Sequence, residues 1–134
     1  MGIRKRNKAN IYKAKKKKLA IAKLRNCPVS PRKMRSVADL LRGKEVGKAL
    51  NILKFNPRHA SKFLEKLLLS AISNWQSKNE DQSIESTNII VNEIKVDGGR
   101  ILKRLRPAPQ GRAHRIRKRS NHVTVVLESN NEIK

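Results

Sequence analysis

The sequence predicts an α+β fold: three helices packed on a small antiparallel sheet, preceded by a basic N-terminal extension. Three observations carry this. Apolar residues in the middle of the chain recur with the helical period. Two later runs are rich in β-branched residues and bounded by turn signals. Apart from a weak strand candidate near the start, helical segments precede strand segments without alternation, which is the α+β order. At 134 residues the chain has room for one modest core, and the expected organisation is an extension over 1–20 and a single domain over 21–134.

The extension is Lys-rich, and Lys15–Lys18 taken alone reads as a solvated tail. Leu19–Val29 is a weak strand candidate, closed by Cys27-Pro28 and Ser30-Pro31. Ser30-Pro31 then starts the first helix, with Ser at the N-cap and Pro at the first helical position. Met34, Val37, Ala38 and Leu41 form its apolar stripe. Arg32, Lys33 and Arg35 put positive charge at the positive end of the helix dipole, which is unfavourable unless an anion sits there. These residues therefore read as a phosphate site.

Gly43 separates this stripe from a second, Val46, Ala49, Leu50 and Leu53, which Pro57 closes. The helix–Gly–helix unit at 34–54 also has the outline of a helix-turn-helix. Its second helix offers bases mainly Lys48, Asn51 and Lys54 with nearly balanced charge, which disfavours that reading. Ala60, Phe63, Leu64, Leu67, Leu68, Ala71, Ile72 and Trp75 then mark a helix over about 58–77 whose stripe is core. Glu80-Asp81 reads as a helix-end loop.

Beyond it, Asn88–Val96 and His122–Leu127 are strands. Two models connect them. Asp97-Gly98 is the stronger local hairpin signal. Alternatively Gly98-Gly99 is a bulge, and both strands run on to a tip at Pro107-Ala108-Pro109-Gln110-Gly111. The second model gives arms over roughly 88–106 and 112–127, each some 50–60 Å long. Such a ribbon stands clear of a core and repels itself unless an anion wraps it.

Charge narrows the partner. Lys and Arg number 33 against 10 acids, a formal net charge of +23. Residues 1–38 hold fourteen cations and no acid, residues 39–99 are nearly neutral, and residues 100–127 hold nine cations and no acid. Solvated surfaces mix signs, so two acid-free segments point to a polyanion, nucleic acid first and acidic lipid second. Aromatic residues are 3% of the chain, which argues against a sheet that stacks bases on rings. No apolar run approaches a membrane span. Cys27 is the sole cysteine, so no intrachain disulfide forms, and it reads as a small buried apolar residue. His59, His114 and His122 are not spaced as a metal site, and no Gly-rich phosphate loop precedes a helix. No catalytic residue, metal, cofactor or small-molecule substrate is expected. A DNA-packaging or architectural protein shares the charge, but the dimer-forming or groove-inserting elements of that class do not stand out.

The tail Gly111-Arg112-Ala113-His114-Arg115-Ile116-Arg117-Lys118-Arg119-Ser120-Asn121-His122-Val123-Thr124-Val125-Val126 closely resembles the C-terminal signature of the family of the universal ribosomal large-subunit protein twenty-two. Val29–Arg35 resembles that family's first-helix start, and Val37–Lys44 and Ala49–Leu53 resemble the family's next helical segments. The likeness covers about 25–127.

It implies a structural protein of the large ribosomal subunit that binds large-subunit rRNA and aids assembly, with a long extended β-hairpin lining the nascent-peptide exit tunnel. That favours the 107–111 tip. Implied partners are the rRNA, neighbouring proteins around the tunnel exit and the nascent polypeptide, in the cytoplasm, with no membrane. Expected rRNA contacts are Arg32, Lys33, Arg35, Arg100, Lys103, Arg104, Arg106, Arg112, Arg115, Arg117, Lys118 and Arg119. Pro107, Ala108, Pro109, Gln110 and Gly111 are the expected tunnel-lining tip. Bacterial and organellar members often carry more basic residues at the tip; here Ala108-Pro109-Gln110 is uncharged.

Overall fold

The computed structural model describes residues 2–79 and 87–129; the Glu80-Asp81 loop lies outside them. The elements in chain order are α1 (Ile3–Lys18), β1 (Ala20–Cys27), α2 (Pro31–Ala38), α3 (Val46–Phe55), α4 (His59–Gln76), β2 (Ile89–Pro107) and β3 (Ala113–Ser129). The fold is α+β, with four helices among the described residues rather than three. The additional one, α1, lies in the basic extension. It has no apolar stripe to betray it, but its Ala and Lys content favours helix and it contains no Gly or Pro.

The three strands form an antiparallel sheet in the order β1-β3-β2. Strand β3 is central. Along its inner half Val123, Val125 and Leu127 enter the core, His122 and Thr124 stay half-buried, and Val126, on the opposite face, is buried as well. Both neighbours break step to match it. A bulge at Asn92, between the pairs Val91↔Leu127 and Glu93↔Val126, keeps Ile89 and Val91 on the same buried face as Ile94 and Val96. In β1 the register shifts between Leu24 and Cys27. Asn26 there takes a positive φ of 54°, and its N–H donates to His122 Nδ1 at 3.0 Å.

The core lies between this face and the helices. Helix α4 supplies Ala60, Leu64, Leu67, Leu68, Ala71, Ile72 and Trp75, all buried. Phe63, expected in that stripe, is only partly buried and meets the His59 ring edge-on at 5.1 Å. Met34, Val37 and Ala38 of α2, Leu41 in the turn after it, and Val46, Ala49 and Leu53 of α3 complete the layer. Gly43 lies in that turn with φ +69°, a conformation glycine adopts without penalty.

Strand β2 has a free edge, and the chain around α2 covers it. The Gly43 N–H donates to Val91 O, and the Val91 N–H donates to Lys44 O, both at 2.9 Å. Arg42 donates to Ile94 O at 3.0 Å, and Arg35 to Val96 O at 2.9 Å. Edge carbonyls that would otherwise invite another strand are thus occupied.

The Asp97-Gly98 hairpin does not form. Between the pairs Gly98↔Asn121 and Ile101↔Arg119 the ladder carries one extra residue on β2, and both strands continue to Pro107↔Ala113. The chains approach closely at Gly99: a Cβ there would sit 2.6 Å from Ser120 Oγ and 3.2 Å from the Ser120 carbonyl carbon, so any larger residue would displace the Ser120 hydroxyl. The Ser120 hydroxyl donates to Arg100 O at 2.6 Å, fixing the bulge. At the tip the Ala108 N–H donates to Arg112 O at 2.9 Å, with Gln110 and Gly111 both at positive φ.

Burial sets the cost of substitution on either side of this bulge. Leu68→Ala should lower unfolding free energy by about 2–5 kcal/mol, because it empties a closed site. Leu105→Ala, on the exposed outer hairpin, should change it by less than about 0.5 kcal/mol; urea titration of both variants checks this. Burial also pushes the Cys27 thiol up, against a smaller lowering by a hydrogen bond to the Val29 backbone. The unfolded chain loses this proton first, so stability should decline as pH rises above the ordinary thiol value. Alkylation at mildly alkaline pH should label Cys27 rapidly only after denaturant is added.

Candidate nucleic-acid interface

From Arg100 to Ser120 no side chain is buried. This outer hairpin carries nine cations and no acid. Among the described residues, ion pairs join Arg42 to Asp39, Lys48 to Glu45 and Lys95 to Glu93, all at exposed local sites and none on the outer hairpin.

Pairing sorts these side chains, since directly opposed residues share a face. Ile101, Lys103 and Leu105 share one face with Arg119, Arg117 and Arg115. Leu102, Arg104 and Arg106 share the other with Lys118, Ile116 and His114. Each face mixes apolar groups with cations, four cations on the first and three on the second, so the ribbon is basic on both faces and has no inner side. Such a ribbon fits between anionic walls rather than against one.

At the base of the ribbon the structure gathers a cleft. Arg117, Lys118 and Arg119 of β3 line it together with Arg32 and Lys33 at the start of α2 and Arg58, His59 and Ala60 at the start of α4. Neither helix has a side-chain hydrogen bond at its N-cap: Ser30 and Arg58 both leave that place empty, and neither first turn contains an acid. First-turn N–H groups of both helices therefore lack side-chain acceptors, and both positive dipole ends meet one basic cleft. Oxyanions such as phosphates are the ligands that satisfy such groups.

Arg58 is held in place. Its Nη1 donates to Ser36 Oγ at 3.0 Å, the Ser36 hydroxyl donates to Lys33 O at 2.9 Å, and the Arg58 N–H donates to Asn56 Oδ1 at 3.1 Å. Beneath the cleft, Asn121 is fully buried, and its Nδ2 donates to Val29 O at 2.6 Å. That bond ties the last core residue of β3 to the loop entering α2, and so sets the hairpin against the helix.

Of the residues singled out from sequence, Arg32, Lys33, Arg117, Lys118 and Arg119 are brought together here. Arg100, Lys103, Arg104, Arg106, Arg112 and Arg115 are distributed along the ribbon, and Pro107–Gly111 form its tip. Arg35 behaves differently, because its guanidinium is engaged by the Val96 carbonyl of β2. Sequence reasoning does not single out Arg58 or His59. Yet Arg58 after Pro57 is a cation at a helix start just as Arg32 after Pro31 is.

A family model described as ribosomal protein L22p/L17e matches residues 22–128. The chain belongs to that family. It is 66% identical over 131 residues to the large ribosomal subunit protein uL22 of Christiangramia forsetii, covering 98% of this chain and 97% of that one. It is 65% identical over 127 residues to the uL22 of Flavobacterium johnsoniae, covering 95% and 93%. With that of Porphyromonas gingivalis strain W83 it shares 56% identity over 131 residues, covering 98% and 97%. The family match takes in the cleft and the whole hairpin, and begins after α1.

If the cleft holds phosphates, replacing Arg32, Lys33, Arg117 and Lys118 by Gln should leave folding intact. The same replacement should reduce the salt dependence of RNA binding by about one log–log unit per lost contact. Filter binding across a salt series, beside thermal melts of the free variant, checks both halves.

Proposed function

We propose that this chain is a structural constituent of the large ribosomal subunit that binds large-subunit rRNA by neutralising charge and fitting shape. The observation that carries the reading is the cleft, where two helix N-termini without side-chain caps and both basic segments converge at the root of an acid-free ribbon. Family membership and the names of the uL22 relatives support it. The protein works on the ribosome in the cytoplasm, with rRNA and neighbouring ribosomal proteins as partners, and has no catalytic role. Among the described residues no helix is long and apolar enough to cross a membrane.

Residues 21–134 act as one rRNA-binding domain and 1–20 as an appended arm, a division supported by the start of the family match at residue 22. The hairpin runs inward through rRNA, and its tip, Pro107–Gly111, lines the nascent-peptide tunnel near the exit. Two features support this: β2 runs for about 60 Å, and its outer stretch beyond Gly99, roughly 26 Å, contributes no side chain to the core, while the tip between Arg106 and Arg112 is uncharged. The basic faces meet RNA, while a neutral tip presents little electrostatic hold to a passing chain. Assembly proceeds as cations bring rRNA segments together.

The test separates the two halves of the hairpin. Removing the paired residues Arg104, Leu105, Arg115 and Ile116 shortens the ribbon by two rungs without changing register or face. This variant should fold and enter large subunits, and should alter the response to tunnel-binding drugs or peptide-dependent stalling. Ile94→Asp buries an unpaired charge and should block stable incorporation. Subunit occupancy and drug response of both variants decide it. Tight binding to duplex DNA in preference to structured rRNA at equal salt would sink the rRNA reading.

A further inference from the structure

Helix α1 has no part in the core or the cleft. Every described side chain from Ile3 to Ala14 is exposed, including Ile3 at 79% and Tyr12 at 74%. The helix carries nine cations and no acid in 16 residues. Like charges one turn apart oppose helix formation, and a helix this short is marginal on its own. A polyanion would supply the missing counter-charge.

The arrangement of cations says more. At 3.6 residues per turn, Arg4 and Lys8 lie on one side of α1, and Arg6 and Lys13 lie on the opposite side. Lys5 lies between them beside Ala9 and Tyr12. Charge is absent only from the narrow stripe Ile3, Asn7, Asn10 and Ala14. A helix resting on a single partner needs cations on one face; the opposite face would be expected to mix signs or be neutral. This helix is about 10–12 Å across, too wide for the deep, narrow major groove of A-form RNA. It would lie across phosphate backbones instead.

The base of the arm is pinned. Only Leu19 separates α1 from β1, and the Leu19 carbonyl accepts from Lys78 Nζ at 2.7 Å. Two residues on, the Ile21 carbonyl accepts from Asn74 Nδ2 at 3.1 Å. Both donors belong to the end of α4 or the turn after it, so the point of departure is fixed to the core. The arm also lies outside the family match, although the alignment with the Christiangramia relative spans 98% of this chain.

We infer that α1 is a strut between two RNA segments, contacting phosphates of one through Arg4 and Lys8 and of the other through Arg6 and Lys13. The inference rests on the proposed rRNA-binding role and adds a second attachment, independent of the hairpin. It is tested in the full-length chain assembled into large subunits, with a short thiol-linked photocrosslinker at Lys8→Cys, Lys13→Cys or, on the hairpin, Lys118→Cys. The buried Cys27 serves as the silent background.

The expected result is crosslinks from positions 8 and 13 to two different rRNA segments. Arg4→Gln with Lys8→Gln should in addition lower the log–log salt slope of rRNA binding by about two, with an equal, additive loss from Arg6→Gln with Lys13→Gln. The strut is overturned if both positions crosslink to one segment. It is also overturned if they reach only protein, or nothing while position 118 crosslinks to rRNA. Failure of all three positions, with no incorporation, would overturn the rRNA reading itself and the strut with it.

Discussion

The double pairing of β3 is the constraint on which the rest depends. Its inner half is hydrogen-bonded on both sides, to β1 from Ala20↔Leu127 to Cys27↔Asn121 and to β2 from Ile89↔Ser129 to Gly98↔Asn121. Its outer half is paired on one side only. One continuous strand is therefore a core element at one end and a surface ribbon at the other. The changeover falls at Asn121, where the last fully buried β3 side chain toward the tip also anchors the loop into α2. Because the same backbone crosses that boundary, the core dictates where the ribbon begins.

This arrangement divides the cations by task. Arg35 and Arg42 close the free edge of β2 and bind the helical layer to the sheet. Arg58 braces the start of α4 against α2. Among the described residues the cations of the outer ribbon meet no acid, and the α1 cations from Arg4 to Lys13 are exposed. A chain of charge +23 can fold around a small core because its neutral middle supplies most of that core, while the excess charge is displaced to its two ends. Repulsion is then spread over exposed ribbon and helix, where solvent and counterions screen it.

Helices α2 to α4 and the inner parts of β2 and β3 are legible in the sequence because burial imposes a period on their residues; the α4 stripe at 60–75 and the alternation at 123–127 are the clearest cases. Helix α1 is hidden because a helix that buries nothing writes no period. The ribbon is ambiguous because Asp97-Gly98 is locally a good turn. What excludes that turn is pairing between residues far apart in sequence, as in Leu102↔Lys118. In the site, charge alone marks Arg32, Lys33 and the 117–119 run. It does not separate Arg35, engaged by a strand carbonyl, from its neighbours. Nor does it reveal Arg58, which reaches the cleft only because α4 begins beside α2.

The bulge at Gly99 has a mechanical consequence. About eight residues separate it from the tip, a lever of roughly 26 Å. A 10° change of bend there would swing the tip by roughly 4–5 Å, on the order of the spacing between neighbouring strands. Angular precision at one glycine, set by the close approach of Ser120 and its hydrogen bond to Arg100, therefore governs positional accuracy at the far end. No contact at the tip itself has to supply that accuracy.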